Sequence, residues 1–444
     1  MGCYPPAVSA LEDSSDVLVI GGGIIGSAVA YQLARRGMAV TLLDKGPIGY
    51  EQSTRNWGWV HQQVRYPHLI PLAVASVKMW EELSADLEAD VGFIQGGNLS
   101  LGFDDADLVE FEQWRGTARD AGLETTVLTR DQVADTLPGM AWMEGTWTGA
   151  LHLPTDGQAD PDLVTAAFAR AAERHGARIV TDCAVTGIDT AGGSVTGVLT
   201  ERGLIRAPRV VVAAGAWSSR LTRPLGVRFP QRSVRSTVVR TTPVDPITPV
   251  TAWADGFTFR QDRAGRFVLA GGEAAIYEVD LDLFRDMHWF LPLAWRNRHW
   301  LRIHVGRHLL GDLAARLPGS SARREFWQRR RKIDPPADAK GVRETLGRFH
   351  RVFPNLGEVG MESSWAGNID STPDQAPIIG PVTGGPTGLL IATGFSGHGF
   401  ALGPAAGRLA ADLVLGDEPV VDPRPFRHAR FAERDVPTVG VHRR

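Results

Sequence analysis

The chain has 444 residues and a formal net charge of −3, and this near-neutral balance argues against a protein built to bind nucleic acid. Its only cysteines, Cys3 and Cys183, are too few for a disulfide framework or a multi-cysteine metal site, so we expect a reducing, cytoplasmic setting and no metal. No stretch approaches the roughly 20 apolar residues of a membrane span, and we expect no transmembrane segment.

Residues 16–45 predict a strand, a turn, a helix and a second strand that together bind a nucleotide. Gly21, Gly23 and Gly26 follow an apolar run with the spacing G-x-G-x-x-G. They would allow a tight turn, a close approach to a pyrophosphate, and close packing of the helix on the sheet. Asp44 ends the second strand, where a carboxylate can bind a ribose hydroxyl and would repel a 2′-phosphate.

A polar, glycine-rich segment over residues 45–67 follows and predicts a binding loop. Ser53, Thr54, Arg55 and Asn56 supply hydrogen-bond donors, and Trp57 begins a W-G-W motif with flat apolar walls. An ordinary surface loop is the alternative, although exposed tryptophans are unfavourable.

Residues 69–154 predict a separate unit inserted into the nucleotide fold. Residues 69–90 form an amphipathic helix, and a strand near 93–103, a helix over 105–121 and a strand near 124–128 follow. The side chains predicted to face inward from the first helix are Leu72, Val77, Trp80 and Leu83.

The nucleotide-binding pattern returns near residue 156. Asp160 and Pro161 begin a helix that ends at Gly176 and leads into a strand. A hairpin over 194–207 precedes an apolar strand, a glycine turn and a helix over 209–221, and β-branched alternation over 234–272 predicts further strands.

Residues 285–332 carry twelve arginines and lysines against three acidic residues, interleaved with aromatic and aliphatic side chains. We call this segment the basic excursion. It is expected to be helical, either packing its aromatics on its own domain or meeting a membrane surface or a partner protein. Nucleic acid is the weakest alternative.

Residues 388–416 predict a strand, a glycine-rich turn and an alanine-rich helix, so that a third helix N-terminus faces the ligand edge of the sheet. Backbone donors and the positive end of a helix dipole suit a ring that becomes anionic on reduction, as a flavin does.

These motifs together resemble the FAD-dependent D-amino-acid oxidase family, which includes glycine oxidase, sarcosine oxidases and bacterial amino-acid dehydrogenases. The resemblance lies in residues 21–26 and 210–218, in TPDQAPIIG at 372–380 and in GFSGHGF at 394–400. It implies an α/β fold with a Rossmann-type FAD-binding domain and a mixed-sheet α+β substrate domain. The first domain would comprise 14–68, 155–233 and 355–425, and the second 69–154 and 234–354.

The family resemblance also implies oxidation of a C–N bond by hydride transfer from the substrate α-carbon to flavin N5, giving an imine that water hydrolyses. Gly367 stands where sarcosine oxidases often carry a flavin-linked cysteine, so we expect noncovalent FAD. Val268 falls near the position of the lysine that activates oxygen in the family, which favours a quinone or protein acceptor over O2.

The family's usual substrate-carboxylate anchors are missing. Ala401 replaces a lysine, Asn368 or Ile369 replaces an arginine, and His61 replaces a loop arginine. The predicted catalytic or substrate-contacting residues are therefore His61, Arg65, Arg260 and Asn368. His61 titrates near neutral pH and would orient or deprotonate the amine, and an arginine would bind a carboxylate.

The residues assigned to FAD are Gly21, Gly23, Ile24, Ile25, Gly26, Asp44, Lys45, Ser53, Thr54, Arg55, Asn56, Trp57, Val185, Ala214, Gly215, Trp217, Gly367, Gly394, Phe395, Ser396, Gly397, His398, Gly399 and Phe400. Two other functions remain open, an electron-passing or noncatalytic FAD subunit of a larger complex and a flavin-dependent hydroxy-acid dehydrogenase.

Overall fold

The computed structural model describes residues 14–63, 66–140, 147–254, 256–271, 275–279, 282–296, 298, 301–305, 331–357 and 359–436. Arg65 and most of the second half of the basic excursion lie outside these residues.

The described part of the chain contains twenty-one strands and ten α-helices. The strands are β1 Val17–Ile20, β2 Val40–Leu43, β3 Trp59–Val60, β4 Asn98–Gly102, β5 Thr126–Thr129, β6 Gly149–Leu153, β7 Gly157–Gln158, β8 Arg178–Val180, β9 Val185–Ala191, β10 Ser194–Thr200, β11 Gly203–Arg206, β12 Arg209–Val212, β13 Arg232–Thr241, β14 Thr251–Ala254, β15 Phe257–Gln261, β16 Phe267–Gly271, β17 Ala275–Glu278, β18 Leu301–His304, β19 Met361–Ser371, β20 Ile378–Pro381 and β21 Leu389–Thr393. The α-helices are α1 Ile24–Ala34, α2 Ile70–Asp86, α3 Asp105–Asp120, α4 Arg130–Thr136, α5 Pro161–Arg174, α6 Ser218–Thr222, α7 Asp282–Arg296, α8 Ala339–Val352, α9 Gly399–Leu415 and α10 Arg430–Glu433.

The first sheet has six strands in the order β20, β21, β12, β1, β2, β8, and all of its pairs are parallel except β20 with β21. Both faces of β1 are buried, because Val17 and Val19 pack on the helices while Leu18 and Ile20 pack on the opposite side. This two-sided burial explains its uninterrupted apolar sequence.

Helices α1, α5 and α9 cover one face of this sheet. The prediction that α5 begins at Asp160 is confirmed, since the Asp160 carboxylate accepts a hydrogen bond from Asp162 N at 3.0 Å. The other face carries the predicted hairpin β10–β11, which β9 extends to a three-stranded sheet.

Helix α2 packs against α9 and contributes Trp80 and Leu83 to the same core. The inward face predicted for α2 is confirmed. Its neighbours belong to the helical layer of the first sheet, although its sequence position was assigned to the substrate domain. The domain division itself stays a prediction.

The second sheet is mixed and has ten strands in the order β18, β17, β13, β16, β15, β14, β4, β6, β5, with β19 also paired to β13. Helix α8 covers one face, where Phe349 and Phe353 pack with Phe259 and Phe267. The predicted fold class, a Rossmann-type α/β sheet joined to a mixed sheet, is confirmed.

Two predictions about elements need correction. The basic excursion is not helical throughout, because after α7 it forms β18, whose residues Leu301–His304 pair in parallel with β17. After β12, the expected helix is a 3₁₀ turn, Gly215–Trp217, followed by the five-residue α6. Its short backbone leaves a weaker dipole than α1 or α9 has.

Candidate active site

A cavity of about 550 Å³ runs between the carboxyl edge of the first sheet and the face of the second. Its lining includes Gly23 after β1, Asp44 after β2, Ser236 from β13 and Trp253 from β14. All of the predicted FAD residues line it except Gly26, Thr54 and Gly394.

The glycines of the first turn have distinct spatial roles. Gly21 has a φ of +110°, and a Cβ there would lie 2.4 Å from the Ala213 carbonyl oxygen. A Cβ on Gly26 would lie 1.8 Å from the Gly21 oxygen, so Gly26 serves close packing instead of lining the cavity. Beside Gly23, the Ile24 amide donates to Ser53 Oγ at 2.9 Å. The binding loop therefore rests directly on the first turn of α1.

Asp44 accepts hydrogen bonds from the amides of Gly22 at 2.6 Å and Gly46 at 2.7 Å. Burial raises the pKa of Asp44 to about 6, although both donors oppose this shift. Asp44 is therefore mostly ionised at neutral pH and lines the cavity at the predicted ribose position.

Lys45 and Trp217 lie at the same end of the cavity. The Lys45 ammonium is 3.4 Å from the centroid of the Trp217 ring and 3.0 Å from Glu51 Oε1. Burial lowers the pKa of Lys45, and Glu51 opposes that effect. Val185 and the segment before it complete this end, which we call the adenosine end.

Two further glycine turns follow β12, at Gly215, and β21, at Gly394. A buried carboxylate that was not predicted from the sequence, Asp370, supports both of them. Asp370 accepts hydrogen bonds from Gly394 N at 2.8 Å, Gln52 Nε2 at 3.0 Å and Gln231 Nε2 at 3.1 Å. Burial raises the pKa of Asp370. The sequence signal that could have indicated this role is the position of Asp370 at the start of the D-S-T-P-D stretch, residues 370–374.

The binding loop folds through its own polar side chains. Gly58 N donates to Asn56 Oδ1 at 2.6 Å, and Arg55 Nη1 donates to the Ala366 carbonyl at 2.9 Å. Thr54 does not line the cavity as predicted, because its hydroxyl donates to the Tyr50 carbonyl one turn earlier. The prediction of a structured loop that lines the cavity is otherwise met by Ser53, Arg55 and the residues that follow.

A series of five rings lines the end of the cavity beyond the third turn, and we call it the aromatic wall. Neighbouring ring centroids in it are 5.6–6.0 Å apart. Its members in order are Trp57, Trp59, His61, His398 and Tyr66. His398 precedes α9, so the wall meets the N-terminus of that helix.

His61 lies in the middle of the aromatic wall, and its Nδ1 has no hydrogen-bond partner among the described residues. Burial lowers the pKa of His61 to about 4. The expected titration near neutral pH is therefore wrong, because an imidazolium surrounded by rings would lose its hydration without gaining an anion. The residue is accessible from the cavity as a neutral acceptor or donor.

The other predicted catalytic residues differ in their placement. Asn368 lines the cavity, and its carbonyl oxygen accepts from Gln52 Nε2 at 2.6 Å. Arg260 is 5% exposed and does not line the cavity. Its guanidinium donates to the Trp57 carbonyl and, at 3.1 Å, to Gln158 Oε1, which supports the binding loop from below. These contacts leave it poorly placed to bind a substrate carboxylate.

A neutral polar chain also reaches the cavity and was not predicted from the sequence. Asn98 Nδ2 donates to Gln63 Oε1 at 2.9 Å, and Gln63 Nε2 donates to Ser100 Oγ at 2.9 Å. The face of α3 that carries Asp107, Phe111 and Trp114 adds further lining. Helical spacing of these residues was the only signal, and it does not reveal what the face contacts.

Three features of the cavity fit a flavin dinucleotide. It extends from Asp44 to the aromatic wall, two full helices direct their N-termini to it, and backbone contacts exclude a Cβ at Gly21 in the turn that lines it. The fold and the cavity thus define a dinucleotide-dependent oxidoreductase of the two-sheet type.

The family model described as "DAO: FAD dependent oxidoreductase" matches residues 16–413, and the chain belongs to this family of FAD-dependent enzymes. It is 26% identical to a glycine oxidase from Geobacillus kaustophilus over 96% of this chain and 98% of that protein. It is 26% identical to a sarcosine oxidase subunit beta from an Arthrobacter species over 95% and 92%. The structure of an L-amino acid deaminase from Proteus myxofaciens, solved with anthranilate, shares 30% identity and a TM-score of 0.89 over 95% of each chain.

Proposed function

We propose that this FAD-dependent enzyme oxidises the C–N bond of an amino acid or a secondary amine. The observation that carries the proposal is His61 in the aromatic wall, next to the start of α9 and in a cavity that Asn368 also lines. The named activities of the related proteins, which include glycine oxidase and sarcosine oxidase, support it.

When bound, FAD supplies the acceptor for the hydride that leaves the substrate α-carbon. Neutral His61 accepts a hydrogen bond from the substrate amine and does not repel it, as an imidazolium would. The aromatic rings that line the cavity would offer cation–π contacts to a protonated amine, which must release its proton to solvent before hydride transfer. Asn368 offers a neutral amide to the polar groups of the substrate.

The residues that would hold FAD divide along the cavity. Gly23 and the start of α1 would face the pyrophosphate, and Asp44 the ribose. Ser396 and the start of α9 would lie at the flavin ring, where N–H donors favour negative charge. We expect noncovalent attachment, because Gly367 lines the cavity where a linking cysteine would stand and Cys183 is buried in the core behind the adenosine end.

Anaerobic titration of the purified enzyme tests the proposed reaction. The flavin absorbance should bleach with members of a panel of D- and L-amino acids and N-methyl amines, and stay oxidised with matched hydroxy acids. Bleaching by hydroxy acids alone would make the protein a hydroxy-acid dehydrogenase. No bleaching by any panel member would favour an electron-passing subunit.

We further propose that reduced enzyme passes its electrons to a quinone or a redox partner in preference to O2. Val268 is buried against Trp57, so this position supplies no cation beside the flavin end. Helix α7 of the basic excursion exposes Leu291 (58%) and Trp295 (68%), which suits contact with a membrane or a protein. No described helix is long and apolar enough to cross a membrane.

The acceptor is tested by reoxidising substrate-reduced enzyme in air-saturated buffer and with a soluble quinone analogue. We expect the quinone to reoxidise the enzyme at least about tenfold faster. Reoxidation by O2 as fast as substrate turnover would identify an oxidase and would leave α7 without a role in electron transfer.

A further inference from the structure

Arg331, near the end of the basic excursion, lies at the adenosine end of the cavity. Arg331 lines that cavity. Its Nη1 donates to the Lys45 carbonyl at 3.1 Å, and its Nη2 donates to Glu201 Oε2 at 2.5 Å. The guanidinium is thus held beside the loop that follows Asp44, with its position fixed from two sides.

Backbone packing at the same place is close. A Cβ on Gly46 would lie 2.7 Å from the Arg331 carbonyl oxygen, so only glycine allows the two backbones to approach this way. Gly46 is also a donor to the Asp44 carboxylate, at 2.7 Å. Gly46 therefore contacts both the Arg331 backbone and Asp44, the residue predicted to bind the ribose.

The next residues continue across the binding loop. The Lys332 ammonium lies 4.5 Å from the centroid of the Tyr50 ring. Asp334 accepts from Arg55 Nη1 at 2.8 Å. We call residues 331–334 the strap, because Arg331, Lys332 and Asp334 all contact residues of the loop that follows Asp44.

We propose that the strap is part of the FAD site and that Arg331 binds the AMP half of the cofactor. The guanidinium has five N–H donors and a planar face, and its two described hydrogen bonds leave donors available to phosphate or ribose oxygens. Arg331 adds a second cation beside Lys45 to an end that also contains the carboxylates of Asp44, Glu51 and Glu201. This inference depends on FAD and not on the proposed substrate.

The inference couples the basic excursion to cofactor retention. Bound FAD would hold the strap closed, and the strap would slow FAD release, since each stabilises the arrangement that the other needs. If the Arg331–Glu201 ion pair were purely structural, it would stabilise the fold to the same extent whether FAD, ADP or no ligand is bound.

The test measures FAD release from full-length holoenzyme by the rise of flavin fluorescence on dilution, and competition by ADP for the vacated site. Arg331→Ala should raise the dissociation constants of FAD and ADP by a similar factor of about tenfold or more. Arg298→Ala is the matched control, because Arg298 belongs to the same excursion but donates to Trp295 O at 2.9 Å and does not line the cavity. It should leave both constants unchanged.

Unchanged FAD affinity in Arg331→Ala would overturn the inference, and so would weaker FAD binding with unchanged ADP binding. If Arg331→Ala does not fold, Gly46→Ala replaces it, since the added methyl pushes against the Arg331 carbonyl and displaces the strap without changing its residues. Gly116→Ala is its control, with nothing within 4 Å of the added Cβ. Equal FAD and ADP affinities in Gly46→Ala and Gly116→Ala would then refute the strap.

Discussion

His61 shows how burial changes the chemistry of a residue type. A histidine in a polar loop suggests an acid–base group for neutral pH. Enclosed between Trp59 and His398, with its pKa lowered to about 4, it stays neutral across the physiological range. His61 therefore contributes a hydrogen bond and packing to the site, and it does not change its protonation state between about pH 6 and 8.

Replacing His61 should slow substrate oxidation without removing a pH transition. We expect His61→Asn to reduce kcat/KM by about 10- to 100-fold, the loss of one or two buried hydrogen bonds. The pH profile of flavin reduction, measured by anaerobic stopped flow, should show no ionisation near pH 6.5 that disappears in the variant. An ionisation near pH 6.5 that His61→Asn abolishes would contradict the neutral assignment.

Asp156 acts at the same scale as a buried support for the aromatic wall. Its carboxylate accepts from Gln62 N at 2.7 Å and from Gln63 N at 3.4 Å, which fixes the segment that follows His61. Burial nevertheless raises the pKa of Asp156 from 3.8 to about 7, against the effect of these donors.

The raised pKa of Asp156 makes stability depend on pH. The folded protein keeps this proton up to about pH 7, while the unfolded chain releases it near pH 4. The contribution is thus complete below about pH 4 and is lost as pH rises to about 7, by up to about 4 kcal/mol. Urea unfolding at pH 4.5 and 7.5 should show a smaller difference in Asp156→Asn than in the wild type. The exposed control Asp120→Asn should retain the wild-type difference, and an unaltered difference in Asp156→Asn would refute this account.

At the scale of elements, the nucleotide site depends on where strands end and helices begin. Strands β1, β12 and β21 lie side by side, and each is followed by a glycine turn. Parallel strands place these turns at one edge of the sheet, so turns that are distant in sequence line one cavity.

Gly23→Val tests this arrangement. The new Cβ would lie 3.0 Å from Ser53 Oγ, and the larger side chain would occupy space at the start of α1. We expect apoprotein with a lower melting temperature, because bound FAD stabilises the fold by mass action. Absorbance at flavin wavelengths and thermal melting are the measurements. Gly116→Val in α3, where nothing lies within 4 Å of the added Cβ, should purify yellow. A yellow Gly23→Val with unchanged melting would refute the site.

For the whole molecule, one buried ion pair joins the C-terminal segment to the cofactor edge of the first sheet. Arg430 and Asp374 both have fully buried side chains, and Arg430 Nε donates to Asp374 Oδ2 at 2.7 Å. A second nitrogen of Arg430 donates to the Ala376 carbonyl at 2.9 Å. Helix α10 is therefore fixed beside the TPDQAP stretch.

Breaking this pair should be costly, because Asp374 would remain buried without its cation. We expect Arg430→Ala to lower the free energy of unfolding by about 3–5 kcal/mol. Arg427→Ala, which removes ion pairs with the exposed side chains of Glu433 and Asp435, should cost less than about 1 kcal/mol. Denaturant unfolding of both variants would measure the contrast, and equal losses would contradict it.

Noncovalent attachment of FAD is also a prediction for the whole molecule, since Cys183 is buried in the core and Gly367 lines the cavity. Acid precipitation should release all yellow colour into the supernatant. Flavin that sediments with the denatured protein would show a covalent link.

The sequence by itself determined the class of fold and the cofactor, through its motifs and the family resemblance that they carry, and it predicted most of the residues that line the cavity. The nucleotide-binding turn follows from local signals, because a glycine turn between an apolar strand and a helix has few sterically accessible arrangements. Helix α5 and strand β21 were predictable for the same reason, since caps, glycines and apolar runs act over a few residues.

Only the tertiary structure decided what surrounds each residue. Arg260 lies beneath the binding loop, His61 is neutral, and Arg331 reaches the adenosine end from a different part of the chain. Burial, desolvation and long-range pairing depend on which segments meet, and a residue's type and spacing do not encode that. The division between core and cavity is therefore set by packing of the two sheets, while the glycine turns that line the cavity are set by local sequence.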